Sequence, residues 1–112
     1  MTYIRISAYR IMWLQVCFDL PVKTAAQRRI AANFRKALVQ DGFKMFQYSV
    51  YWRHCASREN AHVHKQRIRS WLPETGSVSI LEITDKQFSR IEHYINQASE
   101  KPPEASKQLE LF

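Results

Sequence analysis

Ile11–Pro21, IMWLQVCFDLP, is an apolar run broken only by Gln15 that ends on one carboxylate, Asp19, before Leu-Pro. Proline has no N–H for a ladder and biases the residue before it towards extended backbone, so the strand closes near Leu20 with Asp19 at its mouth. The near-continuous apolar character from Met12 to Phe18 predicts a central strand buried on both faces, by helices or by a partner. Asp19 is then either a site of chemistry or a turn-former bonded to nearby backbone N–H groups before the next element.

Beyond Pro21, Thr24 is an N-cap and the segment to Asp41 reads as a helix, stopped by Gly42. Ile30, Phe34 and Leu38 recur every four residues, with Ala26, Ala31 and Ala37 filling the same broad face. Arg28, Arg29, Arg35 and Lys36 lie on its other faces, as a solvated basic surface or as one that tracks phosphates. Phe43–Arg53, FKMFQYSVYWR, is aromatic and β-branched and long for one strand, which leaves it as one strand or as two bent near Ser49. Its aromatics are core residues or, beside Lys44 and Arg53, platforms for stacking bases. His54–Asn60 is a polar connection, and a second helix covers Glu59–Leu72 with Ala61, His64, Ile68, Trp71 and Leu72 on one side. His62 and His64 are two apart, on different helix faces, and do not make a metal-ligand pair.

Pro73–Gly76 is a turn and Ser77–Thr84 a strand; Thr84-Asp85 caps a short helical turn, and HYIN returns as an edge strand or continues that helix. Residues 1–97 form the folded domain; Met1–Arg10 show no clear periodicity. In 98–112 a Pro-, Ser- and Lys-containing linker leads to Leu109, Leu111 and Phe112, whose spacing suits a strand that pairs with a partner or within a dimer. The order β-α-β-(β)-α-β is the α+β, ferredoxin-like pattern: an antiparallel sheet with helices on one face. The aromatic-rich second face needs a cover, and a second copy is the simplest one.

The chain has 112 residues, 46% hydrophobic and 24% charged, and a net charge of +7 from 17 Lys+Arg against 10 Asp+Glu. That balance describes one soluble domain with a polyanionic partner, nucleic acid ahead of a membrane surface. No signal peptide and no apolar run of about 18 residues is present, so a cytoplasmic protein is expected. Cys17 and Cys55 form no C-x-x-C pair and read as two inert thiols, Cys17 as a small hydrophobe within its strand. There is no Gly-rich phosphate loop, G-x-S-x-G elbow or zinc constellation.

Three pieces together carry a family likeness: FDLP ending in Asp19, RKALVQDGFKMFQYSVY over Arg35–Tyr51, and LEITDKQFSRIE over Leu81–Glu92. The chain resembles, from about Arg10 to Ile95, the small CRISPR-associated adaptation subunit, second member of the spacer-acquisition pair, in its type II-like branch. The resemblance implies a ferredoxin-like homodimer that bridges two dimers of the larger adaptation integrase and helps to capture a duplex DNA prespacer. It also implies a magnesium-dependent endonuclease on RNA, single-stranded RNA included, or on DNA, with Asp19 facing its mate across the dimer axis. Arg28 and Arg29 match the basic residues near that Asp, and Tyr51 the aromatic after QYSV. The basic position two before Gln47 is Met45 in this sequence, with Lys44 beside it.

Mg²⁺ takes octahedral oxygen ligands and often uses one or two carboxylates plus a substrate phosphate. Asp19 is the candidate metal ligand and catalytic residue, paired through a two-fold axis and giving slow, metal-dependent cutting. Lys23, Arg28, Arg29, Arg35 and Lys36 are the candidate phosphate contacts, sequence-blind and salt-sensitive. The competing classes are a toxin-like endoribonuclease of the same fold and a non-catalytic nucleic-acid-binding module. QLELF also resembles peptides that dock on the bacterial sliding clamp.

Overall fold

A computed structural model describes residues 10–96 and the backbone of 98–100. The elements are β1 (Met12–Asp19), α1 (Ala25–Gln40), β2 (Lys44–Gln47), β3 (Val50–Cys55), α2 (Arg58–Trp71), β4 (Ser77–Thr84), α3 (Asp85–Phe88), β5 (His93–Ile95) and β6 (Ala98–Glu100). The first four strands form an antiparallel sheet in the order β2-β3-β1-β4. β1 and β2 run the same way with β3 between them, which is the split β-α-β arrangement of a ferredoxin-like α+β fold.

Side chains alternate across a strand, and β1 uses the alternation to build two different layers. Met12, Leu14, Val16 and Phe18 face the long helices and pack with Ala31, Phe34 and Leu38 of α1 and Ala61 and Ile68 of α2. Burying Phe34 or Leu38 there contributes about 1.5–3 kcal/mol each relative to leaving it exposed. On the other face Trp13 is fully buried, stacked on Phe88 with centroids 3.8 Å apart, and its Nε1–H donates to Asp85 Oδ1 at 2.7 Å. Trp52 meets Phe88 edge-on at 5.0 Å. This roof stops early, because α3 has four residues and is only about 6 Å long. Beyond it Cys17 and Asp19 are exposed. Among the described residues of one chain, β1 is therefore covered on both faces only at its Trp13 end. Cys17 is correspondingly a surface thiol rather than a core hydrophobe; it and Cys55 are both free.

α1 begins and ends where its capping residues place it. Thr24 accepts from the Gln27 N–H, Gln27 reaches back to the Thr24 N–H, and Gly42 follows the helix with φ +93°. Its inward stripe is Ala31, Phe34 and Leu38, whereas Ala26 is exposed and Ile30 is 49% exposed. At 100° per residue Ile30 falls on the rim of that stripe, where it lines a shallow apolar dimple with Leu20, Pro21 and Pro73.

The aromatic segment divides into β2 and β3 around Tyr48-Ser49, with φ +64° at Ser49 and a bulge between Met45 and Gln47. β3 runs on through His54 and Cys55, both buried, where a polar connection was expected. Burial pushes the Cys55 thiol up to about 11, which leaves it inert at neutral pH. Ser57 caps α2 by accepting from the Asn60 N–H. HYIN becomes strand rather than helix, and β5 pairs with β6 in a two-stranded ribbon, so strand occupies 98–100 where the linker was expected to begin. Leu109, Leu111 and Phe112 lie outside the described residues.

Asp41 ties the two long helices together. Its carboxylate accepts from His64 Nδ1 at 2.6 Å and from Arg67 Nη1 at 2.8 Å. Its carbonyl accepts from Arg53 Nε at 2.8 Å, which adds β3 to the junction.

Candidate functional site

Two turns bracket the end of β1. On one side Phe18 N–H donates to Ser49 O at 3.1 Å, which seats the β2–β3 turn against it. On the other, Asp19 pairs with Ser77, and the preceding Gly76 has φ +94°. A Cβ at Gly76 would stand 2.7 Å from Asp19 O, so only glycine allows the chain to enter β4 this close. The fold thus fixes the Asp19 backbone on both sides and leaves its side chain exposed.

Among the described residues the Asp19 carboxylate has no hydrogen bond or ion pair. The loop into α1 is held by other groups: Gln27 Oε1 accepts from the Lys23 N–H at 2.9 Å, and Arg28 Nη1 donates to Val22 O at 3.1 Å and Lys23 O at 3.0 Å. Among the described residues the Asp19 side chain does not hold its own turn. It is a free, hard oxygen donor, which suits Mg²⁺. Among the described residues no three His, Cys, Asp or Glu side chains gather into a metal cluster, and those residues offer Mg²⁺ one carboxylate at this position. The residues fit the ion as a single ligand, with its other positions left to water, phosphate oxygens or a second copy. His62 is exposed, and His64 is buried against Asp41.

The basic candidates do not converge on Asp19. Its pairing with Ser77 puts the Asp19 side chain on the face of the sheet opposite the long helices. Arg29 and Lys36, seven apart, share the outermost face of α1, and both are exposed. Arg28 and Arg35 share a second face, on which Arg28 already holds the loop carbonyls. Lys23 is exposed in that loop. Tyr51 occupies the core: it is 4% exposed and stacked on Phe18 at 5.8 Å, which leaves no ring face for a base and corrects its assignment as a contact.

A second basic strip lies on α2. Arg58, His62, Lys65 and Arg69 fall within about 60° of one another over about 16 Å of helix, along the β4 side, where Lys65 and Arg58 both pair with Glu82. The spacing was present in the sequence, but starting the helix at Glu59 left Arg58 out of it. Tyr48 is 77% exposed in the turn between β2 and β3.

Comparison with known proteins bears on these features. The family model for CRISPR associated protein Cas2 matches residues 12–91, from the first residue of β1 to just beyond α3. A protein of Flavobacterium psychrophilum named CRISPR-associated endoribonuclease Cas2 is 51% identical over 110 residues, covering 98% of this chain and 96% of the relative. Proteins of the same name from Parvibaculum lavamentivorans and Paracidovorax avenae are 48% and 39% identical, over 90% and 96% of this chain and 100% and 99% of their own lengths. The likeness runs through both turns that bracket Asp19 and is carried by near full-length relatives, and the chain belongs to the CRISPR-associated Cas2 family.

Proposed function

We propose that this chain is the homodimeric structural subunit of a cytoplasmic CRISPR spacer-acquisition complex, binding a duplex DNA prespacer and bridging integrase dimers. In this reading it also has a slow, Mg²⁺-dependent endonuclease activity centred on Asp19. The observation that carries it is the uncovered half of the sheet. Cys17, Asp19, Ser77 and Ser79 are exposed and Leu81 is 50% exposed, on one face beside the edge strand β4. A half-open face next to an edge that pairs with no strand among the described residues leaves room for a cover, and a second copy related by a two-fold axis supplies one.

Such an axis through this half-face sets two free carboxylates towards each other, and each stays costly as a bare anion until a cation joins them. Bound Mg²⁺ would supply phosphate polarisation and an activated water there. Asp19 from each copy holds the ion, while the cations of α1 and α2 hold the polyanion by phosphate contacts. The name endoribonuclease, borne by the relatives, supports the nuclease component.

The decisive experiment sets wild type beside Asp19→Ala. Light scattering is expected to give dimers for both, pull-down to give equal integrase capture, and Mg²⁺-dependent cutting to be lost only in the variant. Equal cutting by both proteins would remove the nuclease. Loss of spacer acquisition with dimers and complex intact would show that chemistry, rather than scaffolding, is the main task.

A further inference from the structure

β6 pairs with β5 as far as Glu100, opposite His93, and the family match stops earlier still, at residue 91. Pro102-Pro103 follow almost at once. Of two adjacent strand residues one must turn its N–H to the ladder, and neither proline has one, so this ladder closes before them. Gln108–Phe112, QLELF, lies beyond that break and outside the described residues. In an extended peptide Leu109 and Leu111 fall on one side and Glu110 on the other. A strand added to a sheet edge is read at alternate residues, and the adjacent apolar pair Leu111-Phe112 breaks that alternation. The pattern suits a cleft of neighbouring apolar pockets with a polar rim. Gln108, whose amide both donates and accepts, sets the register there; Leu109, Leu111 and Phe112 fill the pockets, and Glu110 is left to solvent.

We propose that Gln108–Phe112 is a docking peptide for the peptide cleft of the bacterial sliding clamp, the ring that travels on duplex DNA. The likeness of QLELF to the short peptides that dock in that cleft and the proline break that sets it apart from the sheet carry the inference together. The contact uses neither Asp19 nor Mg²⁺, so it stands apart from the nuclease reading. Lys101–Lys107 span at most about 25 Å, which keeps the basic domain close to the duplex that the ring encircles while QLELF occupies the cleft. The net charge of +7 favours that placement.

The test measures surface plasmon resonance of the full-length protein on a purified bacterial sliding clamp, with a clamp-binding peptide from a DNA polymerase as competitor. Wild type is expected to bind and to be displaced by the peptide. Leu111→Ala combined with Phe112→Ala is expected to weaken binding about 100-fold or more, and Glu110→Ala to stay within about threefold of wild type. Light scattering and integrase pull-down are expected to give the double variant the same dimer and the same capture as wild type. Absence of clamp binding by wild type, binding that the competitor does not displace, or equal binding by the double variant would each overturn the inference. Loss of the dimer or of integrase capture in the double variant would overturn it too, by assigning Gln108–Phe112 to that contact instead.

Discussion

Asp19 and Gly76 touch through the backbone and answer to different forces. The Asp19 side chain makes no bond among the described residues, so Asp19→Asn should change stability by no more than about 0.5 kcal/mol while abolishing Mg²⁺-dependent cutting. Urea unfolding and a cleavage assay on the same preparations check both halves. Gly76→Ala should do the reverse in kind. It forces a side chain into φ +94° and a Cβ to within 2.7 Å of Asp19 O, and is expected to cost about 1–3 kcal/mol in urea unfolding. Asp19 at the mouth of β1 was legible from the Leu20-Pro21 stop. That its carboxylate would be free was not, because whether a side chain bonds its own turn depends on what else holds the loop, and Gln27 and Arg28 do so here. Tyr51 and Tyr48 show the same limit. Alternation along β3 cannot say which tyrosine faces a core until the register with β1 is known, and that register puts Tyr51 opposite Val16 and Tyr48 past the last pair.

At the scale of elements, the junction at Asp41 sets how α1 and α2 respond to acid. His64 is buried, with its Nδ1 on the Asp41 carboxylate and the guanidinium groups of Arg53 and Arg67 nearby; burial, against the pull of Asp41, holds its pKa below the ordinary imidazole value. The unfolded chain therefore binds a proton more readily than the folded one. This contribution to stability is complete above about pH 6.5 and is lost as pH falls through the folded value. Urea midpoints taken downwards from pH 8 should decline below that point, and His64→Asn should flatten the decline. Asp41→Ala leaves the buried His64 donor without its acceptor and should cost about 1–3 kcal/mol. The surface of α1 makes a separate prediction. Arg29 and Lys36 are exposed on one face, so reversing both charges should leave unfolding unchanged and reduce the salt slope of duplex binding by about 2. The long elements were legible because capping residues and glycines mark their ends. The exposure of Ile30 and Cys17 was not, since each depends on a neighbour's reach: the tilt of the α1 stripe for Ile30, and the single-turn length of α3 for Cys17.

At the scale of the molecule, the described residues close one face of the sheet with two long helices and the other at one end only. The open end holds Asp19, Cys17, Ser79 and Leu81 beside the edge strand β4. A polar substitution at Leu81 distinguishes a surface residue from an interface residue. In a lone chain Leu81 is 50% exposed, and Leu81→Asp should change stability little. Against a second copy the same change buries a carboxylate with no partner, and the expected cost of several kcal/mol shifts the dimer towards monomer. Sedimentation over a range of concentrations reads the dissociation, and circular dichroism of the diluted variant verifies that the monomer stays folded. If two copies complete the metal site, Mg²⁺-dependent cutting should fall with the dimer fraction, since each copy brings one carboxylate. Cutting that persists in a folded Leu81→Asp monomer would place the whole activity on a single Asp19 and leave the dimer with the scaffold role alone.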